Sequence, residues 1–248
     1  MFNKILVISD NIELCFQFYN IFKNKKYEVE LFEFGISPTS DISKFEGYLN
    51  SDIKVYNLKE KEDVKQIIDT FDLVFSIHCK QLFPPELVDS LKCINVHPGF
   101  NPINRGWYPQ VFSIINNLPV GATIHEIDSK LDNGRIIARE FVKKNPYDTS
   151  LTLYNRIIQK ELELINKNID SIMHNEFQTF EPEDNGNLFL KSDFNNLLEI
   201  NLDEKMTVRE CIDKLRALTH GDFKNAFFID KKTKQKIYIS INLDLDEE

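Results

Sequence analysis

Glycine is scarce in this chain, eight residues in 248. None of the eight falls in a G-x-G-x-x-G or G-x-x-x-x-G-K-[ST] loop, so the two common backbone cradles for nucleotide phosphates are missing and a bound NAD or ATP is not expected. The four cysteines, Cys15, Cys79, Cys93 and Cys211, are scattered, with no C-x-x-C and no histidine at zinc-ligand spacing. That pattern excludes a zinc site of the usual kind, predicts no metal, and reads as free thiols in a reducing compartment. Positive charge is also short: 30 Lys and Arg stand against 39 Asp and Glu, a net charge of −9. A nucleic-acid partner needs a basic surface to neutralise phosphates, so broad nucleic-acid binding is not expected, although a local basic pocket remains open. Long apolar runs are absent too. Lys4, Asp10 and Glu13 interrupt the start, and no stretch approaches membrane-spanning length. These absences predict a cytoplasmic protein with neither a nucleic acid nor a membrane as partner.

What is present is a folding composition, 42% hydrophobic and 12% aromatic. Apolar runs at residues 4–9, 72–77 and 93–97 read as buried strands, with further strands at 27–34, 54–58, 120–127 and 136–142. Residues 35–52 read as loop. Helical spacing covers residues 12–24, 60–71, a segment starting at Glu86, 109–117, 150–176 and 206–218, and a hairpin is read at 226–229 and 236–241. Strands alternating with helices predict a doubly wound, mostly parallel α/β sheet. Residues 177–201 are weakly periodic and rich in Asn, Asp, Glu and Phe. We therefore expect a catalytic domain over residues 1–180 and a small α+β appendage over residues 181–248.

The polar residues of most interest sit at the end of the 93–97 run, Cys-Ile-Asn-Val-His. Pro98 has no N–H to donate and stops the strand. Asn95 and His97 are two apart, so they share one face at the strand end, where α/β sheets carry their sites. Alone, the pair reads as a polar strand ending, and Asp132, before Asn133-Gly134, as a turn aspartate. If neighbouring strands bring Asp132 to His97, a carboxylate orients the imidazole and raises its pKa, while the Asn95 amide can hold an oxyanion. That set suits acyl transfer to an amine through a tetrahedral intermediate. No serine or cysteine sits in a nucleophile elbow, which argues against an acyl-enzyme.

Four segments, Ile94-Asn95-Val96-His97-Pro98, Asn104-Arg105-Gly106, Gly121-Ala122-Thr123-Ile124-His125 and Leu131-Asp132-Asn133-Gly134, occur in this order. Together they resemble the 10-formyltetrahydrofolate-dependent formyltransferases; each alone is weak. The string from His97 through residues 104–112 is most similar to the sugar N-formyltransferases acting on dTDP-4-amino-4,6-dideoxyglucose. The resemblance implies catalytic Asn95, His97 and Asp132, and 10-formyltetrahydrofolate as co-substrate. It implies donor contacts along residues 77–82 and 128–132, largely through backbone groups, at Ile77, His78, Lys80, Leu82 and Asp128. It further implies a dTDP-amino sugar as acceptor, a place in surface polysaccharide (O-antigen, lipopolysaccharide) synthesis, and a homodimer. Two departures stand out. Gly99 occupies a position where the family often has serine, and the basic C-terminal domain of the tRNA enzymes has no counterpart, which with the charge argues against tRNA.

Arg105, Trp107 and Tyr108 follow the strand and are candidates to face the sugar nucleotide, arginine being suited to bidentate phosphate contact. Trp107 reads equally well as a core aromatic. Arg216 lies in a stretch similar to the C-terminal part of the formyltransferases and is expected beside the nucleotide sugar, with a surface pair to Glu199 or Asp213 as the alternative. His125 sits mid-strand and reads as structural. Two other functions stay open: formylation of a 3-amino dideoxy sugar nucleotide, and a folate- or nucleotide-binding module without catalysis.

Overall fold

The computed structural model describes residues 1–45, 53–182 and 184–246. In chain order, β1 (Ile5–Ser9), α1 (Ile12–Asn24), β2 (Phe32–Ile36), β3 (Ile53–Val55), α2 (Lys61–Thr70), β4 (Leu73–Ile77), α3 (Pro85–Ser90) and β5 (Lys92–His97) form the alternating part. β6 (Arg105–Gly106), α4 (Pro109–Ile115), β7 (Gly121–Glu126), β8 (Ile136–Phe141) and α5 (Ser150–Met173) follow. The chain then forms β9 (Leu188–Phe189), α6 (Lys191–Leu197), α7 (Val208–Leu218), β10 (Phe227–Ile229) and β11 (Lys236–Tyr238).

β1 is fully buried because it lies inside the sheet, between β2 and β4, with helices covering both sides. Its alternate residues serve two cores. Ile5 and Val7 pack with Phe18 and Phe22 of α1 and Ile157 of α5, whereas Leu6 and Ile8 pack with Val64 and Ile67 of α2 and Leu87 of α3. Each such side chain contributes about 1.5–3 kcal/mol on burial. The main sheet has seven strands in the order β3-β2-β1-β4-β5-β7-β8. β1 to β5 run parallel, and β7 and β8 are antiparallel additions. This is the mostly parallel α/β sheet expected from the sequence. Asn11 starts α1 by accepting the Leu14 N–H at 3.1 Å, and Thr149 starts α5 by accepting that of Thr152 at 3.4 Å.

Two local readings need correction. The strand expected over residues 27–34 begins only at Phe32, and Val29–Leu31 form a 3-10 turn. Phe32 pairs with Ile5, the first residue of β1, so the ladder between the two strands starts there. The weakly periodic stretch 177–201 contains β9 and α6, which are too short for a period to register. Residues 46–52 of the expected 35–52 loop lie outside the described residues. β9 pairs with β6, and Phe194 of α6 is buried against Tyr108 with ring centroids 4.1 Å apart. β10 and β11 form the expected hairpin, joined to the segment before it where the Ile200 N–H donates to the Phe227 carbonyl at 2.7 Å. Among the described residues no helix is long and apolar enough to cross a membrane.

Candidate active site

Pro98 ends β5 at His97, and strand parity turns Asn95 and His97 to one face. The loop between β7 and β8 folds back over that face. Asn95 Nδ2 donates to Asp132 Oδ1 at 2.9 Å, and His97 Nδ1 lies 3.5 Å from Asp132 Oδ2. The Gly106 N–H donates to the same Oδ2 at 3.0 Å, and Asn101 Nδ2 holds the Asp132 carbonyl at 2.9 Å. Asp132 itself has a φ of 46°, a left-handed backbone that these contacts stabilise. Three segments distant in sequence therefore meet at one carboxylate.

Burial is the largest influence on His97 and pushes its imidazole down to about 4, against the raising effect of the Asp132 charge. This corrects the expected rise. The side chain is 6% exposed, and losing water disfavours the cation more than one carboxylate favours it. For Asp132, burial pushes the carboxyl up, but the His97 charge and the Gly106 N–H are among the influences that outweigh it and hold the group below the usual carboxylate range. At neutral pH the pair is a neutral imidazole beside a carboxylate anion. His97 Nε2 has no hydrogen-bond partner among the described residues. It lies so close to Gly99 that a Cβ there would come within 2.5 Å of it, so the ring occupies the space that a serine side chain would enter.

The trio opens on a cleft of ≈ 1940 Å³ at the carboxyl ends of β1, β4 and β5. His78, Lys80, Leu82 and Asp128 line it, as do Trp107 and Tyr108. Ile77 does not; as the last residue of β4 it is wholly buried in the core. The loop after β4 is held by side chains from three directions. His78 Nε2 is 3.0 Å from both oxygens of buried Glu161, and His78 Nδ1 is 3.1 Å from the Tyr154 hydroxyl. Asp10 accepts the Lys80 N–H at 2.6 Å, and Gln81 Oε1 accepts the Leu58 N–H at 2.9 Å. A preorganised loop of this kind suits a cleft wall that receives an extended ligand through its backbone.

Residues 44–169 match the family model described as formyl transferase, and residues 193–245 match the N-formyltransferase dimerization C-terminal domain. The chain belongs to the formyltransferase family. It is 46% identical over 183 residues to a dTDP-4-amino-4,6-dideoxyglucose formyltransferase of Mycobacterium tuberculosis, covering 74% of this chain and 78% of that protein. A 4-N formyltransferase from Francisella tularensis superposes with a TM-score of 0.91 at 42% identity, over 98% of this chain and 99% of that one. A sugar N-formyltransferase from a Shewanella species gives 0.91 at 37% identity, with the same coverage of both chains.

In this formyltransferase two expected substrate contacts lie elsewhere. Arg105 does not line the cleft: its guanidinium donates to Asn133 Oδ1 at 2.6 Å and to the Asn185 carbonyl at 3.1 Å, clamping loops together. Arg216 is 6% exposed, pairs with Asp213 at 2.6 Å, and donates to the carbonyls of Asp148 and Asn145 at 2.8 and 3.3 Å. It fastens α7 to the segment before α5 and does not reach the cleft. α7 and the residues after it do reach the cleft, through Ala217 and His220. Trp107 lines the cleft with Lys191 Nζ 5.3 Å from its ring, and Tyr108, at a φ of 53°, lines it from the start of α4. Sequence reasoning missed Glu161, Tyr154 and Asn101. Their roles come from contacts across 83, 76 and 31 positions, for which no local pattern exists.

Proposed function

We propose that the protein transfers the formyl group of 10-formyltetrahydrofolate to the amine of dTDP-4-amino-4,6-dideoxyglucose, with Asn95, His97 and Asp132 as its catalytic residues. The observation that carries this reading is the convergence of an amide and a neutral imidazole on one carboxylate at the floor of the cleft. The unprotonated sugar amine attacks the formyl carbon, and Asn95 Nδ2 donates to the oxygen as it gains charge. The neutral His97 takes a proton from the attacking nitrogen, and the buried Asp132 anion stabilises the imidazolium thus formed. As the carbon–N10 bond breaks, that proton passes to N10 of the departing folate. An imidazole held down to about 4 is uncharged in the resting site, so its unpartnered Nε2 is free to accept a proton.

The donor lies along His78, Lys80, Leu82 and Asp128, and the nucleotide sugar on the side of Trp107 and Tyr108. The match of residues 193–245 to a dimerization domain supports a homodimer. The free cysteines support a cytoplasmic site of action, and a formamido sugar nucleotide of this kind would feed surface polysaccharide such as O-antigen. The test is incubation with 10-formyltetrahydrofolate and either the 4-amino or the 3-amino dTDP sugar, read by mass spectrometry. A gain of one CO on the 4-amino sugar is expected. Gain on the 3-amino sugar alone would overturn the regiochemistry, and no gain on either would favour a binding module.

A further inference from the structure

Asn95 has two amide hydrogens, and both are engaged in the free protein. One goes to Asp132 Oδ1 at 2.9 Å, and the other meets Nε2 of His125 at 3.2 Å. The tautomer of His125 follows from its other nitrogen. Nδ1 is 2.7 Å from the Glu126 carbonyl, which carries no hydrogen, so Nδ1 donates and leaves Nε2, which also lies 3.5 Å from Asp132 Oδ1, to present a lone pair to the Asn95 amide. That carbonyl is itself fixed in place: a Cβ at Gly134 would lie 1.8 Å from it, and the Glu126 N–H donates to the Arg135 carbonyl at 2.9 Å.

The fold brings the two side chains together by register. In the antiparallel pairing of β5 with β7, Asn95 and His125 are direct cross-strand partners, so they face the same side. On the other edge of β7 the ladder shifts between Ile124 and His125, the kind of irregularity that re-aims a side chain. His125 is 1% exposed, so bulk water does not take its place beside Asn95. Both neighbours of the Asn95 amide nitrogen are acceptors. A flipped carboxamide would set its oxygen against a carboxylate and a ring lone pair, so these two groups decide which end of Asn95 is presented.

We propose that His125 is a positioning residue for formyl transfer: with Asp132 it holds the Asn95 carboxamide in its donating orientation. The longer bond to His125 is then exchanged for a charge-assisted one as the formyl oxygen becomes an oxyanion. The proposal rests on the reading that Asn95 donates to that oxygen. The experiment is a double-mutant cycle in steady-state kinetics. His125→Phe keeps a ring and removes the acceptor; it should lower kcat by roughly 10- to 100-fold and leave both Michaelis constants within about twofold. His125→Gln, which restores an acceptor, should recover most of the loss. In an Asn95→Ala background, His125→Phe should cost nothing further. If His125→Phe does not fold, His125→Asn, too short to span to Asn95, replaces it in the cycle. Unchanged kcat, or the same loss in both backgrounds, would overturn the proposal and return His125 to a structural role. Normal turnover by Asn95→Ala alone would instead sink the reading of Asn95, and this inference with it.

Discussion

Replacing His97 by asparagine should flatten the acid sensitivity of folding stability. The imidazole titrates at its ordinary 6.5 when free of the fold, and burial holds it down to about 4 in the native protein. Between these values the unfolded chain binds a proton that the native state rejects, so stability is full above the upper value and falls as pH drops through the window. The whole shift is worth about 3 kcal/mol at 1.36 kcal/mol per pH unit. At about pH 5 the difference in proton binding amounts to about 2 kcal/mol, and at about pH 7 to only a few tenths. With a urea m-value of about 3 kcal/mol/M, the wild-type midpoint should fall by roughly 0.6 M more than that of His97→Asn between those two conditions. Carboxylates and other histidines titrate in both proteins, so the double difference isolates His97. The assay is urea unfolding followed by circular dichroism, at one fixed protein concentration because self-association shifts apparent stability. A double difference below about 0.5 kcal/mol would refute the claim that the ring is buried and neutral.

Asp132→Asn should reduce turnover by about 100-fold and move the His97 titration lower still, because the carboxylate is what opposes burial there. An unchanged histidine titration by NMR would show that the two charges are not coupled. Arg216→Ala should cost about 2–4 kcal/mol in urea unfolding and spare the Michaelis constant for the sugar nucleotide, since it leaves the buried Asp148 carbonyl without that donor and Asp213 without its partner. A raised constant with normal stability would place Arg216 at the substrate after all. Glu161→Ala removes the partner of His78 Nε2, leaving the ring its contact with Tyr154, and should cost about 1–3 kcal/mol. It should also raise the Michaelis constant for 10-formyltetrahydrofolate by loosening the loop after β4; full stability together with an unaltered constant would remove Glu161 from that role.

The short, mainly apolar runs at β1, β4 and β5, the stop at Pro98, and the shared face of Asn95 and His97 were all legible in the sequence, because each depends on a period or turn rule within a few residues. The order of the polar segments also carried the family, since its motifs keep their sequence whatever surrounds them. The sign of the His97 shift was not legible. It depends on how completely the folded-back β7–β8 loop and the neighbouring segments exclude water from the ring, and no residue near His97 in the chain encodes that. Arg105 and Arg216 were misplaced for a related reason. Their long side chains reach whichever acceptors the fold puts nearby, and those acceptors, Asn185 and Asp148, belong to distant segments. The bond from Asn95 to His125 is likewise a matter of register between β5 and β7. A slip of one residue would turn His125 to the other face, and only the assembled sheet selects the pairing.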